Sequence, residues 1–188
     1  MTRTVATPVH QPDASVAVVD LDSSLGVIRV SATADGVSRI QLSDDHAAAG
    51  SVEQSDASAA NETAISFAQR AADELAAYFD DPDAPFTTPL APRGTQFQMR
   101  IWSRMCEIPR GKTMSYGELA REVGSPNASR AVGMACGRNP IPIIVPCHRV
   151  VAADGSLHGF SAGLWRKEWL LEHECGIGLF SGGVRSSP

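Results

Sequence analysis

The 188-residue sequence has no long run of apolar residues. No window approaches the roughly 18 apolar residues that a membrane-spanning helix needs, and residues 1–13 contain no apolar core of signal-peptide length. These absences predict a soluble cytoplasmic protein without a membrane partner. With 188 residues, of which 43% are apolar, the chain is long enough to bury one good core or two small ones.

Cysteine is scarce, and the loops that hold cofactors are missing. The chain has four cysteines, with no CxxC pair and no regular spacing: Cys106, Cys136, Cys147 and Cys175. We therefore expect reduced thiols, one of them reactive, in place of disulfides or a zinc cluster. The sequence also has no glycine-rich phosphate or dinucleotide loop, so we expect no cofactor.

Charge divides the chain into two unlike halves. Residues 1–92 carry 4 Lys and Arg against 14 Asp and Glu, a net charge of −10. Residues 93–188 carry 12 against 7, a net charge of +5. Only the second half is therefore suited to approach phosphate groups, and its basic residues spread widely between Arg100 and Arg138.

The first half predicts a small sheet covered by one helix. Three short β-branched runs are separated by turn residues, which favours an antiparallel meander: 16–19, 26–30 and 37–42. Apolar side chains four residues apart over 63–79 then predict an amphipathic helix. We expect the polar stretch 43–61 between sheet and helix to be a surface loop.

The second half predicts short helices. A helix from Gln96 carries apolar residues on one side and stops before Pro109. Ser115 and Glu118 form a capping box, which predicts a helix from position 116 to about 123. Ser125-Pro126 predicts an N-cap and first turn for another helix, which runs to about position 137.

The last predicted helix covers about 165–173, and we expect it to carry Arg166 and Lys167 outward. The proline-rich stretch 82–92 predicts a connector and a domain boundary. The predicted organisation has four parts: a disordered terminus (1–13), an N-terminal α/β domain with its linker (14–92), a C-terminal domain (93–175) and a flexible tail (176–188).

The two predicted helices between positions 116 and 137 form a helix-turn-helix candidate, with a turn of about three residues. The second helix is poor in bulk, with these small residues: Ala128, Ser129, Ala131, Gly133 and Ala135. Small side chains suit close packing in a core as well as close approach to DNA. Arg130 favours DNA, because a long cation on a bare helix face is costly to bury.

The stretch from Ile141 to Val151 has the features of a reactive site. Pro142 and Pro146 fix φ and remove backbone donors, so the apolar residues between them form a buried run outside regular structure. Cys147 follows this run, directly before His148 and Arg149. A thiol becomes a nucleophilic thiolate beside a base or a positive charge, which favours a nucleophile here. A buried structural thiol beside a surface histidine is the alternative.

Asn139-Pro140, Pro142 and the run Pro146-Cys147-His148-Arg149-Val150 resemble the active-site signature of the O6-alkylguanine-DNA alkyltransferases. The likeness extends from about Gly94 to Glu174, whereas the first ninety residues resemble the family only in the order of their elements. It implies an α/β (α+β) fold. A small antiparallel sheet with a helix, ribonuclease H-like, precedes a mainly helical C-terminal domain with a helix-turn-helix.

The resemblance implies direct DNA repair in a single, irreversible turnover. An alkyl group, mainly methyl, would pass from O6-alkylguanine, or less readily O4-alkylthymine, to Cys147. Cys147, a water and His148 would form a relay, with Glu174 orienting the histidine. Tyr116 would help to rotate the phosphate and assist the flipped guanine, and Asn139 would act as a hinge between the helix-turn-helix and the active-site segment. Alone, Tyr116 is equally compatible with a half-buried aromatic and Asn139 with a simple turn.

The resemblance also implies how DNA is held. The helix-turn-helix would enter the minor groove of double-stranded DNA, and Arg130 would fill the space left by the flipped nucleotide. The implied DNA-binding residues are Tyr116, Ala128, Ser129, Arg130, Ala131 and Gly133. The implied substrate pocket comprises Met134, Pro142, Val150, Phe160 and Ser161. Many relatives have tyrosine at the position of Phe160 and glycine or alanine at that of Met134, which bears on the preferred alkyl group.

Some relatives bind zinc through N-terminal cysteines, and this chain has none before Cys106, so we expect no metal. We also expect a monomer. Two other functions fit parts of the sequence. An alkyltransferase-like protein would bind damaged bases without repairing them, but it would lack the nucleophile. A helix-turn-helix regulator would need a dimer interface and an effector domain, which the acidic first half does not indicate.

Overall fold

The computed structural model describes residues 16–44 and 59–175. The first described range forms a three-stranded antiparallel sheet of β1 (Ala17–Ser23), β2 (Gly26–Thr33) and β3 (Gly36–Ser43), in the order β1-β2-β3. Val30 in the central strand faces Val19 on one side and Ile40 on the other. The predicted meander is confirmed, and each strand is longer than its β-branched run.

Helix α1 (Ala59–Asp80) covers one face of the sheet. Ala64, Ala68, Ala71 and Leu75 are fully buried, and the small side chains let the helix lie close to the strands. The predicted helix is confirmed, although it starts before position 63. The predicted loop 43–61 is therefore too long, because Ser43 ends β3 and positions 59–61 are helical. Positions 45–58 and the predicted termini lie outside the described residues.

The proline-rich connector lies along the free edge of the sheet. Val37 N donates to Pro89 O at 2.8 Å, and Ala91 N donates to Val37 O at 2.7 Å. Gly36 has a φ of +134°, and a Cβ there would lie 2.3 Å from Pro89 O, so only glycine fits this approach. The connector thus pairs with β3 while it leads into the second half.

The second half contains α2 (Gln96–Cys106), α3 (Tyr116–Glu122), α4 (Ser129–Gly137) and α5 (Leu164–Cys175). Between α4 and α5, a 3-10 turn (Cys147–Arg149) leads into β5 (Val150–Val151), which pairs in parallel with β4 (Met114–Ser115). The predicted capping box at the start of α3 is present in full. Trp102 Nε1 in α2 donates to Ala135 O in α4 at 2.9 Å, which fixes these two helices together.

The predicted N-cap at Ser125 is wrong. Ser125 N donates to Ala120 O at 2.8 Å, so this residue closes α3 after Gly124, which has a φ of +74°. A further turn follows, and α4 begins only at Ser129 with no side-chain cap. The segment between α3 and α4 therefore covers positions 123–128, longer than the predicted turn of about three residues.

The prediction that Arg166 and Lys167 point outward is also wrong. Arg166 is 4% exposed and Lys167 is fully buried, whereas Trp165 before them is 49% exposed. Arg166 Nε donates to Leu25 O in the β1–β2 turn at 2.8 Å, and its Nη1 donates to Ala162 O at 2.6 Å. Backbone carbonyls accept hydrogen bonds from both cations, which offsets the cost of burying them.

None of the described helices is long and apolar enough to cross a membrane. The core is continuous from the sheet through α1 to α2, the 141–147 segment and α5. The segment 141–147 is thus packed from both halves of the chain.

Candidate active site and nucleic-acid interface

The backbone around Cys147 is shaped by its prolines. Pro146 has φ −83° and ψ 67°, and Cys147 N donates to Val145 O at 2.8 Å, which is the geometry of an inverse γ-turn. Because the proline ring holds φ near the value that this turn needs, the chain reverses sharply just before the cysteine. Cys147 then begins the 3-10 turn with only 8% of its surface exposed.

The apolar run before the cysteine carries strain. Ile143 has a φ of +76° although its side chain is β-branched and 1% exposed. Such a conformation costs on the order of 1–3 kcal/mol and persists only where the surroundings fix it. Part of that constraint comes from Asn139, whose Nδ2 donates to Val145 O at 2.7 Å and whose Oδ1 accepts from Ile141 N at 3.0 Å. Asn139 therefore spans the whole run.

His148 and Arg149 converge on one carboxylate near the end of α5. His148 Nε2 lies 2.9 Å from Glu174 Oε1, and Arg149 contacts both carboxylate oxygens, with Nε to Oε2 at 2.9 Å and Nη2 to Oε1 at 2.8 Å. The side chains of His148 and Glu174 are 0% exposed. Burial would raise the pKa of Glu174, but hydrogen bonds from His148 and Arg149 hold that pKa well below its usual range.

These contacts define the state of the histidine. Burial lowers the pKa of His148 despite the adjacent carboxylate, so the imidazole is neutral at pH 7. Since a carboxylate only accepts, Nε2 carries the hydrogen and Nδ1 keeps a bare lone pair. Nδ1 is buried and has no hydrogen-bond partner within the described ranges. The site therefore contains a proton acceptor directly beside the cysteine in sequence.

Lys167 lies beside the site, although the sequence predicted an outward-pointing side chain. Its Nζ donates to Val150 O at 2.6 Å and to His158 O at 2.8 Å. Burial raises the pKa of the Cys147 thiol, and hydrogen bonding to Asn139 together with the charge of Lys167 opposes that rise. Helical spacing could have revealed this position, because Leu170 and Leu171 follow Lys167 by three and four residues on the buried face.

Tyr116 is half-buried at the start of α3 and faces the same carbonyl group. Its hydroxyl donates to His158 O at 2.9 Å, and Lys167 Nζ lies 5.8 Å from its ring centroid. Burial, followed by the charges of Cys136 and Cys147, raises the pKa of Tyr116 to about 12. The phenol is therefore a hydrogen-bond donor at neutral pH.

Apart from Tyr116 on α3, the predicted DNA-binding residues lie on α4 or directly before it. Arg130 is exposed and forms no ion pair within the described part of the chain. Four residues later, Met134 is 59% exposed, which places it outside the buried core. The smaller predicted residues are half-buried: Ala128, Ser129, Ala131 and Gly133. A Cβ at Gly133 would lie 3.9 Å from the ring of Tyr116, so α3 and α4 pack closely here.

The other predicted pocket residues lie on the active-site segment and on the loop 152–163. Pro142, Val150 and Phe160 are buried, whereas Ser161 is exposed. The loop folds back on itself, because Ala152 N donates to Ser156 O at 3.0 Å. No group of three or more His, Cys, Asp and Glu with metal-binding geometry occurs in 16–44 and 59–175.

Known proteins are similar to this chain in both sequence and fold. Residues 96–176 match the family model described as "6-O-methylguanine DNA methyltransferase, DNA binding domain". A "Methylated-DNA--protein-cysteine methyltransferase" from Methanosarcina acetivorans is 52% identical over 108 residues, which are 57% of this chain and 69% of the relative. The chain belongs to the methylated-DNA--protein-cysteine methyltransferase family. A relative of the same name from Mycobacterium bovis is 53% identical over 104 residues, 55% of this chain and 63% of its own length.

Solved structures extend the family likeness to the first half. A Mycobacterium tuberculosis OGT in complex with DNA is 37% identical, with a TM-score of 0.70, over 85% of this chain and 92% of that chain. An O6-methylguanine methyltransferase from the same organism is 36% identical, with a TM-score of 0.69, over 86% and 93%. The predicted mixed α/β fold and the predicted methylated-DNA--protein-cysteine methyltransferase family are both confirmed.

Proposed function

We propose that this methyltransferase repairs DNA by moving an alkyl group, mainly methyl, from O6 of an alkylated guanine to Sγ of Cys147. One observation carries the assignment to Cys147. The thiol follows a tight proline turn and precedes a neutral histidine. A buried carboxylate accepts a hydrogen bond from Nε2 of that histidine, which leaves the lone pair on Nδ1. O4-alkylthymine would be a poorer substrate, and no cofactor takes part, because the alkyl group comes from the DNA itself.

The reaction balances with one proton transfer and one displacement. The Cys147 proton passes through a water to Nδ1 of His148, and the resulting charge is stabilised by Glu174. The thiolate forms an S–C bond to the alkyl carbon while the C–O6 bond breaks, leaving its electron pair on the guanine. Tyr116 gives the guanine a proton and later regains one as the imidazolium releases its own. The net change moves one proton from thiol to guanine, and the thioether ends the turnover.

Burial has two opposing effects on the nucleophile. It raises the pKa of Cys147, so the resting protein holds a thiol in place of a free thiolate. The same burial strengthens the attraction between a thiolate and the buried ammonium of Lys167 once the proton has left. The relay through His148 therefore supplies the anion when the substrate is bound.

DNA recognition is assigned to α3 and α4. We propose that they act as a helix-turn-helix in the minor groove of double-stranded DNA, with the small side chains of α4 against the groove. Arg130, exposed and without an ion pair among the described residues, would enter the duplex and replace the flipped nucleotide. The exposed basic side chains nearby, including Arg121 and Arg138, suit the adjacent phosphates.

The finer organisation of the chain belongs to the same proposal. We assign 14–92 to an N-terminal domain of ribonuclease H-like type with its linker, and 93–175 to the C-terminal alkyltransferase domain. The protein would act as a monomer. A binder without repair activity is not favoured, because such a protein would lack the nucleophile and this chain has Cys147. A helix-turn-helix regulator is not favoured either, because the chain belongs to a family of methyltransferases.

Mass spectrometry tests the proposal with one substitution and one matched control. After incubation with duplex DNA that contains O6-methylguanine, the wild-type protein should gain the mass of one methyl group, located on Cys147. Cys147→Ser should keep DNA binding but gain no mass, because a serine hydroxyl does not form an anion near neutral pH. Cys106→Ser should still gain one methyl group. Transfer to Cys147→Ser, or a second labelled site, would contradict the assignment.

A further inference from the structure

A cleft of about 440 Å³ lies between the first half of the chain and the active-site segment. One wall is β3, with Arg39 and Gln41, and the other is the segment after α4, with Arg138. Pro142 and Ser161, both assigned above to the substrate pocket, also line it. The cleft is therefore continuous with the site at which the alkylated base would bind.

The charges in this cleft are unbalanced. Within the described ranges, Arg39 and Arg138 are exposed and form no ion pair, and the cleft lining includes no Asp or Glu. Arg39 differs in this respect from the other described basic residues of the acidic first half, which form ion pairs. Arg29 contacts Asp20 at 2.8 Å, and Arg70 contacts Glu74 at 3.3 Å. Arg39 instead lines a cleft that it shares with Arg138 of the basic half.

The two walls are joined by a backbone hydrogen bond. Ile40 N in β3 donates to Pro140 O at 2.8 Å, next to the buried Asn139. Along β3, side chains alternate between the two faces, so Arg39 and Gln41 share the face opposite to Ile40, which is 4% exposed. The cations are therefore placed by a strand and a hinge that do not depend on flexible segments. Two cations facing one cleft repel each other until an anion enters.

We propose that this cleft binds a backbone phosphate of the DNA strand next to the flipped nucleotide. Arg39 and Arg138 would each pair with the phosphodiester, for which the guanidinium group is well shaped, and Gln41 would donate through its amide. This inference rests on the proposed function and adds a contact from the first half of the chain. The contact would hold DNA by charge and would not read its sequence.

Salt dependence tests the cleft directly. The affinity for a duplex that contains O6-methylguanine is measured by fluorescence anisotropy at increasing KCl for Cys147→Ser, which is expected to bind without reacting, and for the same protein with Arg39→Gln, Arg138→Gln or Arg70→Gln added. Loss of one phosphate contact reduces the slope of log K against log salt by about 0.9. Arg39→Gln and Arg138→Gln should each show this reduction, and the paired control Arg70→Gln should not. Unchanged slopes in both cleft variants would overturn the proposal.

A second measurement identifies the phosphate and separates it from a free anion. Duplexes with one neutral methylphosphonate are compared at successive positions around O6-methylguanine. At one position the neutral group should weaken binding by the Cys147→Ser protein, and it should have no added effect when Arg39→Gln is also present. If inorganic phosphate binds the cleft but no such position exists, the cleft is an anion site without a role in DNA binding, and the proposal fails. Methyl transfer by the wild-type protein tests the proposed function independently of both results.

Discussion

The segment around Cys147 and helix α4 are neighbours in sequence but differ in how they treat polar groups. In the first, His148, Arg149 and Glu174 are buried and joined by hydrogen bonds of 2.8–2.9 Å. On α4, Arg130 is exposed with no ion pair in the described part of the chain, and the side chains around it are small. In the first region the charged groups are paired within the protein, and in the second Arg130 has no ion-pair partner among the described residues.

This difference follows from the two tasks that we propose. Moving a proton and stabilising a thiolate need groups held in fixed positions at low dielectric, where charges interact strongly. Binding a duplex needs cations that form no ion pair within the protein, because an existing ion pair would have to break before the cation could contact a phosphate or a stacked base. Substitutions around Cys147 should therefore slow the reaction with both duplex DNA and the free alkylated base, whereas substitutions on α4 should slow only the reaction with duplex DNA. Reaction with a free alkylated base reports on the first region alone.

Glu174→Ala should give the largest effect. Removal of the carboxylate leaves the buried Arg149 guanidinium unpaired, and breaking such a pair costs about 3–5 kcal/mol. We expect a fall of this size in the free energy of unfolding, measured by urea denaturation, together with slow transfer from both duplex and free base. Glu172→Ala, two residues earlier on α5, should be close to wild type.

The loss of stability in Glu174→Ala should depend on pH. The pKa of Glu174 is lowered by folding, so its contacts stabilise the protein above the ordinary glutamate pKa and lose that contribution as pH falls through the folded-state value. The stability difference between wild type and Glu174→Ala should therefore shrink in acid. A difference that is constant with pH would mean that the carboxylate acts through packing alone, and the contrast with α4 would weaken.

Arg130→Ala should come next and should affect duplex DNA only. If the side chain replaces the flipped nucleotide, its loss exposes the full cost of unstacking, which is a few kcal/mol. Repair of duplex O6-methylguanine should slow, whereas reaction with the free base should not. Arg130→Lys should recover part of the rate, because it restores the charge but not the planar group. Equal losses on both substrates would indicate a damaged fold and remove Arg130 from the DNA interface.

Lys167→Met should have a smaller effect that appears in the pH profile. The ammonium lowers the pKa of Cys147 against the effect of burial, so its removal should raise that pKa further. The rate of reaction with the free base should then rise only at higher pH, and at neutral pH it should fall by about tenfold if the pKa increases by one. Lys112→Met, at an exposed position, should leave the profile unchanged. A slower rate with the same pH profile would make Lys167 purely structural.

Local signals in the sequence predicted much of this structure. The capping box at Ser115 and Glu118, the strand meander and the proline frame of Cys147 are set by residues within a few positions of one another. Ser125 shows the limit of such signals, because the same residue could open α4 or close α3. The competing backbone bond to Ala120 decides between them.

Signals that depend on distant parts of the chain were harder to find. Lys167 and Arg166 looked like surface cations, because the carbonyls that satisfy them belong to Val150, His158, Leu25 and Ala162, on other elements. Only the family resemblance implies a role for Glu174, since nothing near it in sequence indicates a histidine 26 residues earlier. Buried polar groups are specified by their partners, and partners are a property of the fold.

The last turn of α5 has a consequence for slow motions. Helix ends ordinarily fray, yet Glu174 precedes the final residue of α5 and accepts a hydrogen bond from Tyr78 Oη at 2.9 Å. His173 Nε2 lies 2.7 Å from Tyr78 O in the same turn. These contacts join the end of α1 to the end of α5, so opening this turn would break them together with the bonds from His148 and Arg149 to Glu174. Its backbone amides should therefore exchange with deuterium as slowly as those of the central strand β2.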